Sequence, residues 1–288
     1  MPYVVENMSI VQNGFLQKTN LVVKENRIYS MYTPVNRLKF IRMDLDKYIM
    51  TPTNVYLYSM DKELDSGLWR KMLQLGADTL LAIFKIDFEF HIQTQYKQTI
   101  EQLKDFPLDY SIGLKIPIHL LSSKVIRFCK REKIPTIFVE VETYESMHKL
   151  AWERVKEDLF PYQSVLIPIF TGESKQNVNL EKKWKELMED HRIPTAFVSH
   201  LFNQNLSLQN LKKFGLYPKK GFLHIGGELN YNLYRKEEVD TKYVVNESNY
   251  DKIDFTVFKN TVVRAGDNFY QPDGLGERLD IKVPGFFQ

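Results

Sequence analysis

Between Thr51 and Asn205 the chain passes six times from a short apolar run to a longer amphipathic one. The apolar runs are Asn54–Tyr58, Thr79–Phe84, Tyr110–Ile116, Pro135–Val141, Ser164–Phe170 and Ile193–Ser199. The segments after them, Asp61–Leu75, Thr94–Lys104, Ser122–Arg131, Tyr144–Leu159, Leu180–Glu189 and Ser207–Phe214, read as helices. Ser122 and Ser207 stand where N-caps belong, and Gly76 and Gly215 stand just past helix ends. Near-continuous apolar strands alternating with helices predict a parallel sheet covered on both faces. A complete (β/α)₈ barrel needs eight such units and about 250 residues. This stretch offers six units in about 155 residues. The expectation is an α/β chain whose residues 51–214 form a shortened or distorted TIM-like barrel, with Asp87–Ile92 as an extra strand helping to close it.

Both ends of the chain read differently. Residues 1–50 contain short β runs punctuated by turns, of which Asn13-Gly14 is the strongest hairpin signal. From Gly221 onward β character returns at Gly221–Ile225, Tyr231–Tyr234 and Val257–Arg264.

Composition narrows the function classes. The 39 basic and 36 acidic residues are interspersed, so no long-range attraction to nucleic acid or to an acidic membrane is indicated. A single cysteine, Cys129, excludes an internal disulfide and a cysteine-based zinc cluster, and its helical neighbours Val125 and Ile126 predict a buried, inert thiol. The opening MPYVVEN lacks the basic and apolar regions of a signal peptide, and no apolar run approaches the ~20 residues of a membrane span. A cytoplasmic protein is expected, with no nucleic-acid or membrane partner.

One stretch carries a family likeness. Phe214–Tyr234 reads FGLYPKKGFLHIGGELNYNLY. With Gly215, Pro218, Lys219, Lys220, Gly221, Gly226 and Tyr234 in place, it resembles the exit from the catalytic barrel in the amidohydrolase superfamily, the dihydroorotase and hydantoinase type in particular. Glu228, Leu229 and Asn230 replace the usual Asp-Ala-Asp. The opening VQNGFL…VVKENRIYSM, the segment TVFKNTVVRAGD and the tail GLGERLDIK are similar to that superfamily's corresponding ends. The resemblance implies a small β-sandwich composite domain built from residues 1–50 and 215–288, set beside the barrel of residues 51–214.

It also implies chemistry. Members of this type hydrolyse cyclic amides with one or two divalent metals, held by an HxH pair, a carboxylated lysine or glutamate, two later histidines and an aspartate at the strand ends. In the matching alignment the HxH pair falls on Tyr58 and Met60. The six histidines, His91, His119, His148, His191, His200 and His224, form no pair at ligand spacing. His200, at the end of the run TAFVSH, is the strongest histidine candidate, and His91 lies shortly after the second strand. Glu140 and Glu142 alternate along PTIFVEVE and share a face; they form a paired carboxylate site or are loop acids ahead of the next helix. Lys115 sits on a strand of the kind that carries carboxylated lysines in the family. Asp87, Glu89 and Glu173 are lesser candidates.

Three functions follow. The first is a non-catalytic amidohydrolase-like protein, a pseudoenzyme without cofactor that acts as a scaffold or binding subunit, pairing with itself or with an active amidohydrolase. The second is a divergent amidohydrolase using His200, Glu140, Glu142, His91 and Lys115 in some combination, with zinc as a single metal. The third is a small-molecule-binding module.

Overall fold

The computed structural model describes residues 1–31, 34–35, 37–60, 64–171, 174–198, 202–238, 247–272, 274 and 276–286, apart from the side chains of 174–177 and 247–249. The N-terminal part forms β1 (Tyr3–Gln12), β2 (Phe15–Lys24), β3 (Arg27–Met31), β4 (Ile41–Asp44) and β5 (Tyr48–Pro52). Thr53 then turns the chain directly into β6 (Asn54–Ser59). The middle continues with α1 (Leu68–Gln74), β7 (Ala77–Lys85), α2 (Ile92–Leu103), β8 (Asp109–Pro117), α3 (Ser123–Arg131) and β9 (Thr136–Val141). It ends with α4 (Tyr144–His148), α5 (Trp152–Leu159), β10 (Val165–Phe170), α6 (Ser174–His191), β11 (Gln204–Asn205) and α7 (Leu208–Lys213). The C-terminal strands are β12 (Tyr231–Arg235), β13 (Ile253–Phe258), β14 (Thr261–Ala265) and β15 (Asn268–Phe269).

Among the described residues the strands make two sheets. One has six strands in the order β10-β9-β8-β7-β6-β11, parallel from β6 to β10 with β11 antiparallel at the β6 edge. Its five parallel strands follow chain order, as the apolar runs predict. The other has nine strands in the order β15-β14-β13-β12-β5-β1-β2-β3, with β4 also alongside β1. The two ends of the chain meet where β5 pairs with both β1 and β12.

The six-stranded sheet is curled into a half-barrel. Phe202 lies next to Asn203, whose amide donates to Leu57 O on β6, yet its ring sits 5.7 Å from that of Phe138 on β9. In a flat sheet β6 and β9 would be about 14 Å apart. Alternation along the strands sends Leu80, Ala82, Ile112, Leu114, Ile137 and Val139 outward, where they pack with Leu73, Val125, Trp152 and Trp184 of the helices. The inner face carries Leu57, Leu81, Ile83, Phe138 and Ile167, and is filled from within by Leu211, Phe214, Leu216, Leu279 and Ile281. At Gly113 the inner face closes so tightly that a Cβ would stand 2.4 Å from Ile83 Cδ1 and 2.5 Å from Thr136 Oγ1.

Several expectations need correction. The first helix begins at Leu68, and Asp61, its expected cap, lies outside the described residues. The expected strand Asp87–Ile92 is instead a 3₁₀ turn over Glu89–His91 running into α2, tied down by Glu89 Oε2 accepting from Ser122 Oγ at 2.6 Å. Ile193–Ser199 is reduced, over its described residues, to an isolated bridge between Thr195 and Leu166, because the Thr195 hydroxyl bonds Leu166 O and Trp184 Nε1. Tyr144–Leu159 splits into α4 and α5. Val257–Arg264 is β as expected but is two strands, the end of β13 and most of β14, joined by a turn at Lys259 and Asn260, both at positive φ. Gly221–Ile225 forms no strand, but the turn after it bonds to β3 through Ile28 and Gly226–Gly227.

Polar side chains lock the two sheets together. Asn232, fully buried on β12, donates to Gly76 O and accepts from Thr256. Gly76 holds φ +68°, and a Cβ there would meet Asn232 Nδ2 at 2.7 Å. Arg264 on β14, 4% exposed, donates to Leu73 O and Gln74 O and so satisfies the last carbonyls of α1.

The strongest tie is ionic. Lys220 Nζ lies 2.5 Å from Asp109 Oδ2, 2.8 Å from Glu228 Oε2 and 3.9 Å from Asp78 Oδ2, with its side chain 1% exposed. Lys259 adds contacts of 2.9 Å to Asp109 and 3.0 Å to Glu277. Burial alone would pull the Lys220 ammonium down, but the Asp78, Asp109 and Glu228 carboxylates outweigh it and hold it above the ordinary lysine range. Burial pushes the Asp78 carboxyl up, against the pull of Lys220. Burial also pushes the Glu228 carboxyl up, yet the Lys220, Lys259 and Lys219 ammonium groups together more than offset this and leave it below its ordinary value of 4.5.

Lys220→Met strands buried carboxylates and is expected to lower unfolding stability by about 3–5 kcal/mol in urea titrations, whereas Arg264→Ala leaves carbonyls unsatisfied and costs about 2–3 kcal/mol. A group held below its unfolded pKa stabilises above that value and loses its contribution as pH falls through the folded one. Glu228→Gln should therefore flatten the acid limb of stability against pH, below about pH 4.5, and leave the neutral limb parallel to that of the wild type.

Candidate functional site

In a half-barrel of parallel strands, side chains at the carboxyl ends of the inner face converge on one mouth. Here those positions are Ser59 on β6, Lys85 on β7, Lys115 on β8, Glu140 on β9 and Ile169 on β10, each two residues beyond an inner-face apolar residue or glycine. Lys115 Nζ lies 3.0 Å from Glu140 Oε1, and Lys85 Nζ lies 3.7 Å from Glu140 Oε2 and 3.1 Å from Asp87. Lys115 and Glu140 are mostly buried, with side-chain exposures of 15% and 18%. Phe202 roofs the cluster, its ring 5.5 Å from Lys115 Nζ. The result is one carboxylate held between two ammonium groups on three adjacent strands.

Of the residues singled out from the sequence, Lys115 and Glu140 are brought together. Glu142 shares the parity of Glu140 but falls beyond the end of β9 and is exposed, so the two glutamates form no pair. His91 is exposed on the turn before α2, its ring 4.0 Å from that of Phe90. His200 and Glu173 lie outside the described residues. His119 and His148 are exposed, His191 bonds Glu153 at 3.0 Å, and His224 stacks on Phe222 in the second part of the chain. Sequence reading missed Lys85. The signal was present, since LLAIFK and SIGLK both end an alternating strand on a lysine, and Lys85 and Lys115 are register partners.

The metal positions implied by the family likeness also need correction. Tyr58 and Met60 pack against the helix-side cluster and not into the mouth. The inner-face residues of that strand end are Leu57 and Ser59, neither of which is a histidine. Among the described residues the rim does not fit a divalent metal. Two ammonium groups within 4 Å of its central carboxylate repel a dication and occupy the oxygens it would need. A carbamate on Lys115 would likewise face the Glu140 anion.

A second group of oxygens has metal-like spacing among the described residues. Asp109, Glu228 and Glu277 offer oxygens within 4.8 Å of one another. They lie at the opposite end of the strands, and Lys220 and Lys259 already fill the space between them. Ligand sites in such folds lie at the carboxyl ends of the strands, so this group is structural. Among the described residues no helix is long and apolar enough to cross a membrane.

No protein-family model matches the sequence, and no curated protein matches it. Solved structures do resemble it. A D-hydantoinase is similar with a TM-score of 0.72 at 10% identity, over 100% of this chain and 100% of that one. A dihydropyrimidinase from Brevibacillus agri gives 0.62 at 9% identity, over 99% of each chain. A D-hydantoinase (dihydropyrimidinase) from Thermus sp. gives 0.59 at 10% identity, over 99% of this chain and 100% of that one. At these identities the likeness is one of fold: the chain has the amidohydrolase-like architecture of hydantoinases.

Proposed function

We propose that this chain is a non-catalytic amidohydrolase-like protein, a shortened TIM-like barrel joined to a β-sandwich composite domain, which serves as a binding or scaffold subunit. The observation that carries this reading is the Lys85–Glu140–Lys115 arrangement at the mouth. Hydrolysis of a cyclic amide by a metal needs anionic or neutral donors that collect a dication and lower the pKa of its water. This rim pairs Lys85 with Asp87 and Lys115 with Glu140, so its carboxylates are spent on ammonium groups. The same rim suits a polar small molecule, with Lys115 and Glu140 offering a donor and an acceptor under the Phe202 ring. In a scaffold role the chain would pair with itself or with an active amidohydrolase in the cytoplasm.

The test uses the ring-opening reactions named by its structural neighbours. The full chain, supplemented with zinc or manganese, is offered a hydantoin and a dihydropyrimidine, and ring opening is followed by loss of ultraviolet absorbance. The expected result is no turnover above the buffer rate. Turnover that falls at least tenfold in Glu140→Gln would overturn the proposal.

A further inference from the structure

The charges gathered around Lys220 do not balance. Five ionisable side chains there are at most 17% exposed: Asp78 and Asp109 at the starts of β7 and β8, with Glu228, Lys220 and Lys259. Fully ionised, these five carry three negative charges and two positive ones. Glu277 and Lys219, of opposite sign, stand at the exposed rim, where water screens them.

The two buried ammonium groups are already committed. Lys220 Nζ donates to Asp109 Oδ2 at 2.5 Å and to Glu228 Oε2 at 2.8 Å, and Lys259 Nζ lies 2.9 Å from Asp109 Oδ1. Asp109 Oδ1 also accepts from the Glu277 amide at 2.9 Å. Asp78 is the carboxyl left over. It is 0% exposed, and the Thr79 hydroxyl donates to its Oδ1 at 2.8 Å. Its Oδ2 lies 3.9 Å from Lys220 Nζ, too far for a hydrogen bond, and has no hydrogen-bond partner among the described residues. An ionised oxygen left bare in a dry interior is costly, and such a group takes up a proton instead. One proton on Asp78 brings the five side chains to neutrality. Burial, aided by Asp109, pushes this carboxyl up against the pulls of Lys220 and of the Thr79 and Thr53 hydroxyls.

We propose that Asp78 carries a proton at neutral pH, and that losing it to alkaline solvent loosens the tie between the half-barrel and the segments around Lys220. The ionised form adds an uncompensated anion beside Asp109, whose Oδ1 holds the tail through the Glu277 amide. Asp109 and Glu228 keep Lys220 charged in either state. This switch lies at the opposite end of the strands from Lys115 and Glu140 and goes beyond the binding role proposed for them.

The sign of its effect on stability is fixed by linkage. Unfolded, Asp78 titrates at its ordinary value of 3.8, so above that pH the folded chain holds one proton more than the unfolded one. Stability must then fall as pH rises, by about tenfold in the unfolding equilibrium constant per pH unit, until the folded carboxyl ionises. Asp78→Asn is neutral at every pH and lacks this limb. The experiment compares urea unfolding of the full chain and of Asp78→Asn from about pH 5 to about pH 9, and the ratio of wild-type to variant unfolding constants is expected to rise. In wild type labelled with carbon-13 at aspartate, one carboxyl resonance should keep its protonated position at neutral pH, whether or not the variant folds. At alkaline pH the Glu277 and Tyr110 amides should exchange hydrogen faster in wild type than in the variant. A ratio that stays flat or falls overturns the proposal, since a falling ratio is the sign of an ionised Asp78 paired with Lys220. So do aspartate carboxyls all ionised at neutral pH, or equal exchange in the two proteins at alkaline pH.

Discussion

The Lys220 ammonium is the point on which the architecture depends. It sits fully buried between Asp78 and Asp109, which begin two adjacent strands of the half-barrel, and Glu228, which leads into β12 of the larger sheet. A buried lysine is costly unless its charge is matched, and removing either partner exposes the other to that cost. The cluster therefore acts as a latch. Lys259 from the β13–β14 turn and Glu277 from the tail extend it, so that segments from four parts of the chain must be in place together. Asn232 on β12 and the Arg264 guanidinium on β14 donate to Gly76 O and Leu73 O and hold the end of α1 against the larger sheet.

The two ends of the parallel strands consequently do different work. At the amino ends, opposite charges close the body around Lys220. At the carboxyl ends, Lys85, Lys115 and Glu140 face an interior roofed by Phe202. Both ends carry carboxylates beside lysines. An architecture similar to that of hydantoinases thus carries, among the described residues, lysine–carboxylate pairs at the carboxyl ends of its strands.

Much of the frame was legible in the sequence, for physical reasons. Strands buried on both faces must be apolar throughout, so β6 to β10 announced themselves, and Ser122 and Ser207 do accept the amides that N-caps are expected to accept. The failures came where tertiary contacts outweighed local pattern. DFEFHI alternates like a strand, but Glu89 is claimed by Ser122 and Lys124 and the backbone coils into a turn. TAFVSH is apolar like a strand, yet Thr195 spends its hydroxyl on Trp184 and Leu166. The site was legible in part. Glu140 could be named for the face it shares with Glu142, and Lys115 for its place on a strand like those that carry carboxylated lysines in the resembling family, but the pairing of the two is set by the register of β8 and β9, which no motif encodes. Lys220 stood in a recognisable motif, while its partner Asp109 lies 111 residues away in sequence. The face on which Tyr58 and Met60 lie depends on how β6 leaves Thr53, a one-residue matter that alignment of a motif does not resolve.

The most direct measurement is elemental analysis by mass spectrometry on protein purified without added metal. A mouth built of paired lysines and glutamate should yield zinc, manganese and iron each far below one atom per chain. One stoichiometric divalent ion per chain, lost together with Glu140 when that residue is replaced by glutamine, would contradict it.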